Sequence, residues 1–241
     1  MDLHTHLDLY PNALTILDKV NNTNRFTLAV TTSPRAWFAT KKVFSGYSNI
    51  KVALGLHPEI VVQKFNELDL LLSSIPIAEF IGEVGIDGSP KHDISITKQE
   101  VVFDSVIREC QNAGGRIISI HSREAASKVL AVLKKYPDSG KPILHWFSGG
   151  ISDLKIAIDM QCYFSANQLM VNSIKGKNLI TKIPKHLILP ESDGPFATLK
   201  GNPIMPWEAM DICPALSDLW GIPLNEVKII LNNNLDELLS C

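Results

Sequence analysis

What the chain has little of limits its function before any motif is read. It has only four cysteines, Cys110, Cys162, Cys213 and Cys241, in 241 residues. None is spaced as a CxxC pair, which excludes a zinc ribbon, and the thiols read as reduced in a cytoplasmic setting. No apolar run approaches the roughly 18 residues of a membrane span. The opening Met-Asp-Leu-His-Thr-His has neither a basic nor an apolar leader region, so no membrane association or export is expected. Basic charge is also lacking: 23 Lys and Arg face 25 Asp and Glu, a net charge of −2. Any nucleic-acid contact must therefore be local. The composition, 45% hydrophobic and 20% charged, is that of a globular chain long enough to bury a core without disulfides.

Short apolar runs recur along the whole chain. They predict strands near Met1–His6, Phe26–Thr31, Lys51–Leu56, Phe80–Ile86, Arg116–His121, Pro142–Trp146, Cys162–Ser165 and His186–Glu191. Amphipathic segments lie between them. One is expected to start at Thr97, with Glu100 as a capping-box partner, and to stop at Gly114-Gly115. Another covers about Glu124 to Tyr136, and the tail from Trp207 to Leu239 reads as two helices broken near Gly221-Ile222-Pro223. Apolar strands alternating with helices imply a parallel sheet covered by helices. Eight such units in about 240 residues fit a single α/β domain over residues 1–241, a (β/α)8 TIM barrel. A doubly wound open sheet is the alternative, but the first strand is not followed by a glycine-rich phosphate loop.

The histidines carry the chemistry. Five of the seven, His4, His6, His57, His121 and His145, fall at or just past the C-terminal end of a predicted strand. All those ends open on one face of a parallel barrel, the face that holds active sites. His4 and His6 are two apart on a strand and so share a face, with Asp8 near enough to orient one of them. His92 and His186 read as structural. Glu83 lies in Ile81-Gly82-Glu83-Val84-Gly85-Ile86, a buried acid that needs a partner. Asp87 follows as a second acceptor or loop cap. Asp193 ends the eighth strand, where it can bind metal and take a proton from water. The set His4, His6, Glu83, His121, His145 and Asp193 suits one or two divalent ions, with Glu83 able to bridge. Mixed imidazole and carboxylate donors favour zinc, manganese or iron; magnesium fits if carboxylates and waters dominate. Two ions roughly 3.5–4 Å apart form a hydrolytic clamp for phosphoryl or acyl centres.

The ordered strings HTHLD, GLHP, GEVGID, IHSR, HWFSG and ESDGP, from His4 to Pro195, resemble those of the TatD family of metal-dependent deoxyribonucleases. The resemblance implies a TIM barrel, divalent metal, and hydrolysis of DNA phosphodiesters, often as a 3′–5′ exonuclease. The opening MDLHTHLDLYP and the compact length are similar, more narrowly, to the TatD-like QatD proteins of Qat anti-phage operons. That would imply defence-operon protein partners alongside a DNA or nucleotide substrate. By the same resemblance, Asp193 and Glu83 are catalytic, and His57 approaches the scissile phosphate instead of holding metal. Arg123, placed at a strand-to-helix turn, can grip phosphate, and Lys200 is a further phosphate candidate. Trp37 and Phe196 can stack bases or simply pack at the rim. The chain departs from the family strings at Gly88-Ser89, where an aromatic is usual, at Trp146, where cysteine is usual, and at Ser192.

Two other readings stay open. A small-molecule amidohydrolase or phosphoesterase can share the barrel, although many amidohydrolases bridge with a modified lysine where this chain has Glu83. A PHP-type phosphoesterase would need a late Asp-x-His, whereas Asp193 is followed by Gly194-Pro195. The third reading is a non-catalytic barrel that binds a nucleotide or a partner in a defence complex.

Overall fold

A computed structural model describes residues 1–240; Cys241 lies outside them. Eight parallel strands follow in chain order: β1 (Asp2–Thr5), β2 (Thr27–Val30), β3 (Ile50–Ala53), β4 (Phe80–Gly85), β5 (Arg116–His121), β6 (Gly140–His145), β7 (Tyr163–Ala166) and β8 (Ile188–Pro190). β1 to β3 form one run and β4 to β8 another, each strand beside its sequence neighbour. The runs are joined by Leu54, whose N–H donates to Phe80 O at 3.0 Å, and by a bridge between Leu54 and Ile81. At the other seam Asp193 N–H donates to His4 O at 2.9 Å. The strands thus close into the expected (β/α)8 barrel. β9 (Thr198–Leu199) and β10 (Asn202–Pro203) add a small antiparallel hairpin after β8.

The helices form where apolar residues recur at helical spacing. The longest, Ile96–Asn112, buries Val102, Phe103, Val106, Ile107 and Cys110. Full burial of each large side chain contributes roughly 1.5–3 kcal/mol. The helix ends at Gly114 and Gly115, whose φ angles of 84° and 87° suit glycine. The capping box expected at Thr97 does not form: the helix begins at Ile96, and Glu100 pairs instead with Lys128. The tail behaves as expected, with Cys213–Trp220 and Leu224–Leu239 parted by Gly221 in the left-handed conformation. His186 is not the first residue of a strand but sits in a short 3-10 turn, Lys185–Leu187, ahead of β8. It still falls at the barrel end opposite the histidine cluster, beside Lys141 at the start of β6. The thiols of Cys110, Cys162 and Cys213 are buried and unpaired. Among the described residues no helix is long and apolar enough to cross a membrane.

Candidate metal centre

The barrel brings all six predicted ligands to its C-terminal mouth. Glu83 comes from the middle of β4, whose close approach to β5 depends on glycine. A Cβ on Gly85 would stand 2.1 Å from His121 O, so no other residue fits that register. Glu83 Oε2 then faces His6 Nε2 at 3.0 Å, His57 Nε2 at 3.1 Å and His4 Nε2 at 3.5 Å. Its Oε1 faces His121 Nδ1 at 2.7 Å and His145 Nε2 at 3.1 Å. One carboxylate is therefore ringed by five imidazoles, three on one oxygen and two on the other. Asp193 closes the ring, with Oδ1 3.6 Å from His4 Nε2.

A second layer fixes which nitrogen each imidazole turns inward. His4 Nδ1 lies 2.7 Å from Ser119 Oγ, leaving Nε2 toward Glu83. His121 Nε2–H donates to Asp87 Oδ2 at 2.8 Å, leaving Nδ1 inward. Asp87 is itself held by the Ser89 amide at 2.9 Å and by the Ser89 hydroxyl, so both expectations for it, acceptor and loop cap, are met. Behind His145 stands Glu191, which accepts from Ser165 Oγ and from Asn167 Nδ2 at 3.0 Å. His57 differs from the others. Its Nδ1 accepts the Glu59 amide at 3.1 Å, so the proton of the neutral ring sits on Nε2, which becomes a donor and not a ligand. Asp8 does not orient either histidine of the first strand; it accepts from Thr40 Oγ1 at 3.3 Å.

The protonation balance of the centre follows from burial and proximity. Burial alone would raise the Glu83 carboxyl, but the imidazoles of His57, His145 and His4 hold it well below the usual carboxylate range. Burial and the neighbouring His145 push His4 well below the ordinary histidine value, which keeps it neutral. His145 moves the other way, since Glu83 and Glu191 overcome its desolvation. Burial also drives Asp193 well above the ordinary aspartate value.

Does this donor set fit a divalent metal? Among the described residues, the buried polar atoms with no hydrogen-bond partner include His4 Nε2, His6 Nδ1, Glu83 Oε2 and His145 Nδ1. Buried groups are rarely left unpaired; His4 Nε2 and Glu83 Oε2, which face each other at 3.5 Å, mark a missing partner, whereas His6 Nδ1 and His145 Nδ1 lie on the ring edges turned away from Glu83. His4, His6 and Glu83 offer ligand atoms within 4.8 Å of one another, as do His4, His145 and Asp193. The residues fit one or two cations, and the imidazole and carboxylate chemistry is that of zinc, manganese or iron.

Above the centre lies a cavity of about 570 Å³, reached by His57 and Arg123 among the predicted substrate residues. Lys200 is not brought to it. That residue occupies the two-residue turn between β9 and β10, with Lys200 at φ 52° and Gly201 at φ 80°, a geometry that closes a tight hairpin and leaves the side chain exposed. Trp37 is buried, its indole N–H donated to Val52 O at 3.1 Å, so it packs and does not stack bases. Phe196 does line the cavity. The sequence reading missed Ser119, Glu59 and the Ser165–Glu191–Asn167 group. Only Ser119 had a local signal, standing two residues before His121 on the same strand and so on the same face.

A model of TatD related DNases matches residues 1–240. The chain is 27% identical to an uncharacterized metal-dependent hydrolase of Buchnera aphidicola, over 99% of this chain and 98% of that one. It is 24% identical to the deoxyribonuclease TATDN3 of Homo sapiens, over 97% and 92%. Among solved structures, the TatD homologue YJJV of Escherichia coli superposes with a TM-score of 0.86 at 20% identity, covering 97% of this chain and 95% of that one. An uncharacterized amidohydrolase of Saccharomyces cerevisiae has the same fold, with a TM-score of 0.81 at 14% identity over 98% of both chains.

Proposed function

This chain belongs to the TatD family of metal-dependent hydrolases, and we propose that its substrate is DNA, whose phosphodiesters it cuts from a strand end. The observation that carries the reading is the placement of Glu83, with each oxygen turned to its own group of imidazoles. Glu83 Oε2 with His4, His6 and Asp193 would hold one divalent ion, zinc, manganese or magnesium. Glu83 Oε1 with His121 and His145 would hold a second. Bound there, such ions supply positive charge against the phosphoryl oxygens and lower the pKa of water.

The protein's own groups do the rest. Asp193 would receive the proton of the attacking water as general base, and with cations bound beside it the effect of burial would be offset so that it stays ionised. His57 Nε2–H, fixed as a donor by the Glu59 amide, bonds a phosphate oxygen. Arg123, exposed on the cavity wall, grips phosphate by paired N–H donors. Asp87 and Glu191 orient His121 and His145.

A small-molecule amidohydrolase is less well supported, because the bridging position is Glu83 and not lysine. A purely binding role leaves the orphaned donor set without purpose. The sequence likeness to TatD-like proteins of Qat operons extends the proposal to a cytoplasmic role in anti-phage defence with operon-encoded partners. The test is the purified protein with manganese, magnesium or zinc, assayed on single-stranded DNA, duplex DNA and small amide and phosphoester substrates. Metal-dependent release of nucleotides from strand ends is the expected result. Turnover of amides alone, or of nothing, overturns the reading. For the defence role, phage plating on cells carrying the operon should rise to control levels when Glu83→Ala replaces the wild type.

A further inference from the structure

We propose that Trp146 and Phe196 form a subsite that stacks an unpaired nucleobase above the metal centre, a claim that rests on the DNA reading. Both side chains line the cavity. Phe196 is 63% exposed, the most exposed phenylalanine among the described residues. Its ring meets His6 edge-on, with centroids 4.9 Å apart and planes at 83°. It thus stands beside a predicted metal ligand while most of the ring stays exposed. A ring left uncovered at the lip of a polar cavity is one that a planar apolar partner would cover.

Trp146 follows His145 directly and holds φ at 39°, a left-handed conformation that bulky residues rarely adopt and that clusters at functional sites. The N–H of Trp146 donates to Ser165 O at 3.1 Å, which helps hold that turn in place. One part of the side chain packs on the core and another faces the cavity. The remaining tryptophans are committed elsewhere. Trp37 is buried with its N–H spent on Val52, Trp207 is covered by Lys19 at 3.6 Å, and Trp220 packs against the core beside Lys185. None of these three lines the cavity. The indole N–H of Trp146 has no acceptor among the described residues, so it is free to bond a base edge or a sugar oxygen.

The floor of the cavity, built from imidazoles and carboxylates, takes the phosphate. The aromatic pair takes the neighbouring base by its faces. A base inside a duplex already has both faces stacked on its neighbours, so the subsite requires an unpaired nucleotide.

The test compares a short single-stranded oligodeoxynucleotide with a strand of equal length in which every base is replaced by an abasic spacer. Equilibrium binding is read by fluorescence anisotropy before metal is added, and kcat/KM is read with the manganese-loaded enzyme. Base–aromatic stacking predicts about a tenfold or larger preference of the wild type for the base-bearing strand in both readings. Phe196→Ala and Trp146→Ala should each bring that ratio toward one, and Trp146→Phe should keep most of it. Equal treatment of both strands by the wild type overturns the subsite, as does an unchanged ratio in Phe196→Ala, a substitution at an exposed ring. The two proposals fail separately. If both strands are cut alike, the subsite falls and the DNA reading stands. If neither strand is cut with any metal but the binding ratio behaves as stated, hydrolysis falls and base recognition stands.

Discussion

The two ends of the barrel hold cavities of nearly equal size, about 570 Å³ at the C-terminal mouth and about 560 Å³ at the opposite end. Their polar groups are in opposite states. At the mouth, His4 Nε2, His6 Nδ1, Glu83 Oε2 and His145 Nδ1 are buried without partners. At the other end Lys141 Nζ donates to Glu237 O at 2.9 Å, Leu238 O at 3.1 Å and Ser240 O at 2.6 Å. Asn234 Nδ2 donates to Lys185 O and Ile188 O, each at 2.7 Å. Among the described residues, none that lines that cavity has a buried side-chain polar atom left unpaired. Size therefore does not distinguish a site from a gap in packing. Unmet hydrogen-bonding capacity does, because leaving a buried polar group unpaired costs roughly 1–3 kcal/mol unless a ligand completes it.

Substitutions at the two ends should then act on different properties. The largest effect is expected from Glu83→Ala, which removes the one group shared by all five imidazoles. Hydrolysis of single-stranded DNA should fall by at least about 10³-fold, since both halves of the clamp lose their common ligand. A variant that still turns over near the wild-type rate would make the mouth no different from the far cavity. Asp193→Asn comes next. It keeps an oxygen at the same place but removes the basicity, so kcat should drop by about 10²–10⁴ while KM changes little. A near-normal kcat would move the base to another residue. Arg123→Ala should raise KM for DNA roughly 10- to 100-fold with metal content intact, the loss of one charge-assisted bond; an unchanged KM and salt dependence would place Arg123 off the substrate path. At the far end, Lys141→Met should lower the urea-unfolding free energy by about 1–2 kcal/mol, because the carbonyls of Glu237 and Leu238 in the helix Leu224–Leu239, and of Ser240 just past it, lose their donor. Its kcat/KM should match the wild type. A loss of activity without loss of stability at Lys141 would break the contrast between the ends.

The contrast was legible in the sequence only on one side. The mouth could be read because parallel strands all end on one face, so residues that close a strand, such as His121 and His145, meet whatever the exact register. The partners of those residues could not be read. Glu191 reaches behind His145 from a different strand, and Ser119 meets His4 across 115 positions of chain, so both depend on register that no local pattern fixes. Lys200 lies after the eighth strand, as expected, but the short hairpin β9–β10 has no strand signal of its own, so its position away from the cavity could not be read. The expected cap at Thr97 does not form because the 3-10 turn Pro90–Ser95 runs straight into the helix from Ile96, which leaves Thr97 inside it. Trp37 and Phe196 looked alike as aromatic residues near predicted strand ends; only the fold separates the buried ring from the open one.

The central claim is that the histidine ring around Glu83 is a binding site for divalent metal and not an unusually polar core. Equilibrium dialysis against manganese, followed by elemental analysis, tests it without reference to any substrate. The wild type should retain one or two ions per chain, and Glu83→Ala, folded by circular dichroism, should retain almost none. Equal metal content in the two proteins, or none in the wild type, would contradict it.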